Sequence, residues 1–192
     1  MWRALRLTNK PRETAVNPPW GIYQNSLCGN SRMEDYMDRK TAREIAVQLC
    51  FASAGSEQSA AELIDGFFAQ EHYETLSGEN ELFSQRPDER QLAYIRSLVT
   101  MAEEKRQELD GYIEKYSKGW KVGRISRTAL AILRCAICEI LYVEDVPASA
   151  AINEAVELDK GYDEPETVAF VNGVLGGFMK GEFPARDESA CE

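Results

Sequence analysis

From residue 38 onward the apolar positions recur at spacings of three and four, the period of a helix with one buried face. "DRKTAREIAVQLCFA", residues 38–52, opens the pattern, and the first helix is expected over 38–54. In "SAAELIDGFFAQ", 59–70, Leu63 with Phe67 and Ile64 with Phe68 stand four apart and predict a short second helix. A polar loop is expected next. Asp88 then caps a long run in which Leu92, Ile95, Leu98, Val99 and Ala102 mark one stripe; Leu109, Tyr112, Ile113 and Tyr116 continue it beyond the charged "EEKRQE". Residues 126–143 are apolar nearly all round, as befits a central helix covered by others. Pro147 closes a turn before "ASAAINEAVELDKGY", and Pro165, expected at a first helical position, opens "ETVAFVNGVLGGFMKG". No alternating strand pattern appears. The expected class is all-α, a compact set of about seven helices with short links.

Residues 1–36 have a different texture: Pro, Asn and Gly are scattered through them without a sustained period, so little stable structure is expected there. This leader holds five Lys or Arg against three Asp or Glu, and the remainder 17 against 29, within a formal net charge of -10. Met37 is a plausible alternative start, which would make the leader an artefact; a real basic tail is the competing reading. The expected organisation is a leader over 1–36, a helical domain over 37–182 and a flexible tail over 183–192. Hydrophobic residues at 44% and charged residues at 28% are ordinary globular values and argue against wholesale disorder. The acidic balance argues against non-specific coating of nucleic acid and suits basic partners. Local charge therefore has to be read apart from global charge.

Cys28, Cys50, Cys135, Cys138 and Cys191 form no dense, even framework, and no signal peptide or long apolar segment accompanies them, so a reducing cytoplasm is the expected compartment. Cys135 and Cys138 make a C-x-x-C inside the most apolar helix. A zinc site would need two more ligands, and the only histidine, His72, is far off in sequence. The two thiols are expected to be small core hydrophobes, and neither a metal nor a cofactor is called for. Arg134 and Glu139, in the same helix, need partners if buried. Asn153 and Glu154 read as a structural polar pair.

Three cations, Arg39, Lys40 and Arg43, gather where the first helix begins, the end at which a helix dipole repels positive charge by about 0.3–1 kcal/mol each. Asp38 as N-cap, or a capping box of Thr41 with Glu44, would fit the start equally well. If helical, spacings of three and four place the cations on one face. A phosphate would reverse the sign of the dipole term, because free N–H groups and guanidinium forks would point at the same anion. An ordinary solvated helix start is the plainer reading of the spacing alone.

The surrounding residues are more specific than the charges. "AREIAVQLCFA", "AILRCAICEILY", "VPASAAINEAVELDKGY" and "FVNGVL" come in the order and at the spacings of the NusB family of bacterial transcription antitermination factors, and the chain resembles that family over about residues 38–180. The resemblance implies two three-helix bundles with an added helix, and a non-enzymatic adaptor. It would bind the boxA element of ribosomal RNA leader transcripts together with the ribosomal protein NusE, within the RNA polymerase antitermination complex; a homodimer is possible, since some family members dimerise.

By the same resemblance Arg39, Lys40 and Arg43 match the arginine-rich opening that contacts RNA, Phe51 an aromatic of the first helix, and Tyr116 a tyrosine near the RNA path. Glu166 and Thr167 fall in the acidic and hydroxyl loop before the last helix, and Phe170 heads "FVNGVL". Cations supply phosphate attraction and exposed aromatics can stack on unpaired bases, although packing at least partly into the core is the plainer reading of Phe51 and Phe170 and a competing one for Tyr116. The chain departs from the family at Ala169, where a basic residue is common, and at Ala129, where relatives often carry an acid implicated in the NusE contact. Gly173, Gly176 and Gly177 weaken a helix by about 1 kcal/mol each, which predicts the close approach of another helix. Two other classes remain open: the same fold occurs as the RNA-binding front of certain ribosomal RNA cytosine methyltransferases, whose strand–helix alternation and glycine loop this sequence lacks, and a protein-only helical scaffold would make the basic opening incidental.

Overall fold

The computed structural model describes residues 37–117 and 122–184. The leader 1–36, and the tail from 185 on, lie outside the described residues. Among the described residues the chain forms eight α-helices and no strand: α1 (Arg39–Ser53), α2 (Ala60–Phe68), α3 (Gln70–Glu79), α4 (Glu89–Glu104), α5 (Arg106–Tyr116), α6 (Arg127–Tyr142), α7 (Ala148–Asp159) and α8 (Pro165–Glu182).

Local chemistry explains most of the starts. Asp38, Ser59, Asp88 and Ser126 each accept a hydrogen bond from a backbone N–H of the first turn they precede. At Ser59 the Glu62 carboxylate also bonds back to the cap, completing a capping box. Pro165 sits in the first turn of α8, where its missing N–H leaves nothing unpaired.

The expected count of about seven falls short by one, and the expected polar loop after α2 is where the extra helix lies. α3 is polar apart from a single buried anchor, Tyr73, whose ring meets Phe67, Phe68 and Phe83 at centroid distances of 5.4–6.2 Å and whose hydroxyl donates to the Gln85 carbonyl at 2.7 Å. One aromatic among tolerant polar residues gives too weak a period to read. The long run after Asp88 is likewise two helices, divided at Lys105. The stripe of Ile95, Leu98, Val99 and Ala102 packs towards α1, whereas Leu109 and Ile113 serve α6 and α8; the chain turns where its buried face must change partner.

α6 is the axis of the fold. Ala129, Ala131–Leu133 and Cys135–Glu139 are all buried, and α1, α4, α5, α7 and α8 pack around it. α1, α2 and α4 form one group of mutually packed helices, with α3 against α2; α5 and α7 flank α8 and α6 in a second. Cys135 and Cys138 lie in this core, and hydrogen bonding with Cys50 together with burial raises the Cys135 thiol well above the ordinary thiol range, so both behave as packing groups. Among the described residues no helix is long and apolar enough to cross a membrane.

Candidate nucleic-acid interface

The start of α1 is settled by Asp38. Its carboxylate accepts from the Thr41 N–H at 2.7 Å, and that bond is the main cause holding its pKa below the ordinary value. A fixed negative charge at the cap offsets the repulsion between the dipole and the cations that follow.

Those cations do not share one face. Lys40 is exposed and Arg39 partly so, but Arg43 points inward with only 8% of its side chain accessible. Its Nε donates to Glu139 Oε2 at 2.8 Å and its Nη2 to Oε1 at 2.7 Å, a two-pronged pair between α1 and α6. Glu154 Oε2 of α7 lies 3.8 Å from Nη1. Burial works against the Arg43 charge, and the hydrogen bonds and charge of Glu139 outweigh it, leaving the guanidinium pKa above its usual value. The expected partners of Glu139 and Arg134 are thus present, Arg134 being held by Asp110 through two bonds of 2.7 and 2.8 Å, whereas Glu154 faces Arg43 rather than the expected Asn153. Asn153 is exposed.

Arg39 is held differently. Its guanidinium carbon lies 4.0 Å from the centroid of the Tyr94 ring on α4. Tyr94 in turn donates its hydroxyl to Glu139 Oε1 at 2.8 Å. Burial, with Glu139 adding to it, pushes the phenol far above its ordinary pKa, so it remains a donor at every physiological pH.

Phe51, about 17 Å farther along α1 than Lys40 by helical rise, is half-buried against the core. Arg127, exposed at the start of α6, lies over its ring at 4.6 Å. Sequence reasoning missed Arg127; its signal was a serine cap followed at once by arginine, a second helix opening with a cation. The α7–α8 turn completes this side: Tyr162 donates to Glu44 Oε1 at 2.7 Å and accepts from Gln48 Nε2 at 3.0 Å, and Ser126 Oγ donates to Asp163 Oδ2 at 3.1 Å. The turn is therefore tied to α1 and to the start of α6. Beyond it Glu166 is exposed, while Thr167 and Phe170 are half-buried and Phe170 packs on the core.

Tyr116 stands apart, towards the far end of α8. Its ring meets Phe178 at 6.1 Å, and its hydroxyl donates to Glu182 Oε1 at 2.6 Å beside the Lys115 ammonium. A methyl group at Gly177 would come 3.3 Å from its ring, and one at Gly181 only 2.6 Å from Cζ. Close approach is thus the reason for glycine at 177 and 181, whereas Gly173 and Gly176, expected to share it, have nothing within 4 Å. Ala129 is fully buried and Ala169 exposed.

The eight candidates thus divide: Arg39 and Lys40 at one end of α1, Phe51 at the other, Glu166, Thr167 and Phe170 at the start of α8, Tyr116 by its end, and Arg43 inside. This is a track of separated contacts rather than a pocket. Among the described residues no group of three or more His, Cys, Asp or Glu is placed to hold a metal ion.

The NusB family profile matches residues 40–180, most of the chain. The chain belongs to the NusB family. The transcription antitermination protein NusB of Acetivibrio thermocellus is 38% identical over 151 residues, covering 79% of this chain and 94% of that protein. That of Clostridium perfringens is 40% identical over 144 residues, covering 75% and 98%. Among solved structures, T. maritima NusB superposes with a TM-score of 0.63 at 23% identity, over 76% of this chain and 92% of its own. A chain from a complex of the antitermination factors NusB and NusE with double-stranded RNA gives 0.59 at 22% identity, over 74% and 96%. At these identities the superpositions show the NusB fold. The matched span takes in every candidate except Arg39, which lies one residue before it.

Proposed function

We propose that the protein is a transcription antitermination adaptor that binds boxA-type RNA of ribosomal RNA leader transcripts together with NusE, in the cytoplasm, and that it carries no catalysis of its own. The observation that carries this reading is the family match over 40–180, and the accessible cations at the head of α1 support it. Arg39 and Lys40 supply phosphate attraction, Phe51 with Arg127 and the Phe170 region supply surfaces for unpaired bases, and Glu166 and Thr167 supply acceptors at the start of α8. Arg43 belongs to the support of the track rather than to its surface. The acidic remainder suits a basic ribosomal protein as second partner.

Fluorescence anisotropy with a boxA-like RNA and a scrambled control, each with and without NusE and across a salt series, tests the reading. Tighter binding of the boxA-like strand, strengthened by NusE, is expected; equal binding of both strands, or none, would reject it. Replacing Arg39 and Lys40 together by alanine should weaken binding and flatten its dependence on salt, by about 0.7 in slope per lost phosphate contact to a single strand, while melting stays unchanged.

A further inference from the structure

Tyr94 is almost fully buried, yet one face of its ring is closed by the guanidinium of Arg39 rather than by a hydrophobic side chain. The ring cannot swing away from that contact. Its hydroxyl is pinned to Glu139 Oε1, and Glu139 is gripped by both prongs of Arg43, so three helices, α1, α4 and α6, converge on one carboxylate. Arg39 itself has no hydrogen-bond or ion-pair partner among the described residues, in contrast to Arg43, Arg96 and Arg134, each of which is paired with an acid. Stacking engages the flat face of a guanidinium and leaves its N–H edge unused. An arginine held by its face, with its donors free, at a helix start in an acidic protein is already ordered for an anion.

We propose that Tyr94 is a positioning residue for RNA: the Glu139–Arg43 pair anchors its ring, and the ring presents the Arg39 guanidinium edge-on to a phosphate of the bound strand. The gain comes from order imposed before binding, because a long side chain that is already immobilised loses less freedom when it closes on its ligand. This inference rests on the RNA reading above and adds to it a residue that never touches RNA.

The test uses the full chain and the boxA-like RNA, with melting curves for each variant. Tyr94→Leu removes the ring and should weaken binding about fivefold and lower the salt slope by about 0.7, the loss of one phosphate contact. Arg39→Ala should do the same, and the double variant should be no weaker than Arg39→Ala alone. Tyr94→Phe keeps the ring face beneath Arg39 but loses the bond to Glu139 that anchors it, so it should fall between the wild type and Tyr94→Leu, about twofold weaker than the wild type, a graded loss that a general structural role would not produce. Lys40→Ala, whose side chain is not on the ring, should multiply with Tyr94→Leu. Arg39→Lys keeps the charge but not the flat guanidinium that stacks on the ring and should bind as weakly as Tyr94→Leu, an arm that stands even if the leucine variant does not fold. A folded Tyr94→Leu protein with wild-type affinity, effects of Tyr94→Leu and Arg39→Ala that multiply, or wild-type affinity in Arg39→Lys would each overturn the proposal while leaving RNA binding intact. Absence of boxA-like RNA binding by the wild type would instead remove the functional reading and this inference with it.

Discussion

Among the described residues two carboxylates are buried, in the last turn of α6 and at the end of α7, and they are treated in opposite ways. Glu139, 1% exposed, accepts from Arg43 twice and from Tyr94 once. Asp159 is fully buried, and neither of its oxygens receives a hydrogen bond from an N–H or cationic donor. Desolvation, with the neighbouring Asp163 carboxylate adding to it, pushes the Asp159 pKa up to about 7. A buried carboxylate has two remedies: donors that let it stay ionised, or a proton that removes its charge. The region carrying the candidate RNA contacts at the head of α1 uses donors, three of them on one carboxylate. The α7–α8 turn uses the second, and its charge state follows the solvent.

The largest effect should come from depriving Glu139 of its cation. Arg43→Met leaves a buried charge with one phenol donor and should lower stability by about 3–5 kcal/mol, read as a fall in denaturation midpoint at unchanged slope. A midpoint close to wild type would mean that Glu139 is not the anchor described.

A smaller and opposite effect is expected at Asp159. Its folded-state pKa is above the unfolded value near 3.8, so folding takes up a proton between the two. The stability of the protonated form is fully present below about pH 4 and is lost as pH rises through about 7. Asp159→Asn should therefore be more stable than wild type by about 1–3 kcal/mol at pH 8, with the gap closing towards pH 4. Melting curves at the two pH values decide it, and a gap that does not change with pH would contradict the proton-based account.

Smallest of the three, Tyr94→Phe removes one of the three donors to Glu139 and should cost about 1 kcal/mol. A loss as large as that of Arg43→Met would shift the anchoring role from the guanidinium to the phenol.

Much of this was legible in the sequence where the cause is local. Asp38 and Asp88 bond to N–H groups three residues on, and Pro165 acts through its own ring, so each could be read from a handful of neighbouring letters. The need for partners at Arg134 and Glu139 was legible too, because charge inside an apolar helix is anomalous by itself. The identity of the partner was not: Arg43 stands 96 residues from Glu139, and on the helical wheel it looked like a third member of the surface cluster with Arg39 and Lys40. The choice between phosphate contact and buried anchor depends on how α1 is rotated against α6, which no local period reports. α3 hid for the complementary reason, since its place depends on aromatic contacts reaching Tyr73 from α2 and from the turn at Phe83.

The slot at Gly177 and Gly181 limits how this corner of the protein can change over evolutionary time. The tyrosine at 116 occupies space that two absent methyl groups vacate, so an ordinary side chain arriving at 181 would evict the ring and break its bond to Glu182. A smaller residue at 116 would leave a furrow along α8 instead. Positions 116, 177 and 181 therefore have to drift as a set, and in diverging lineages their substitutions should appear together or not at all.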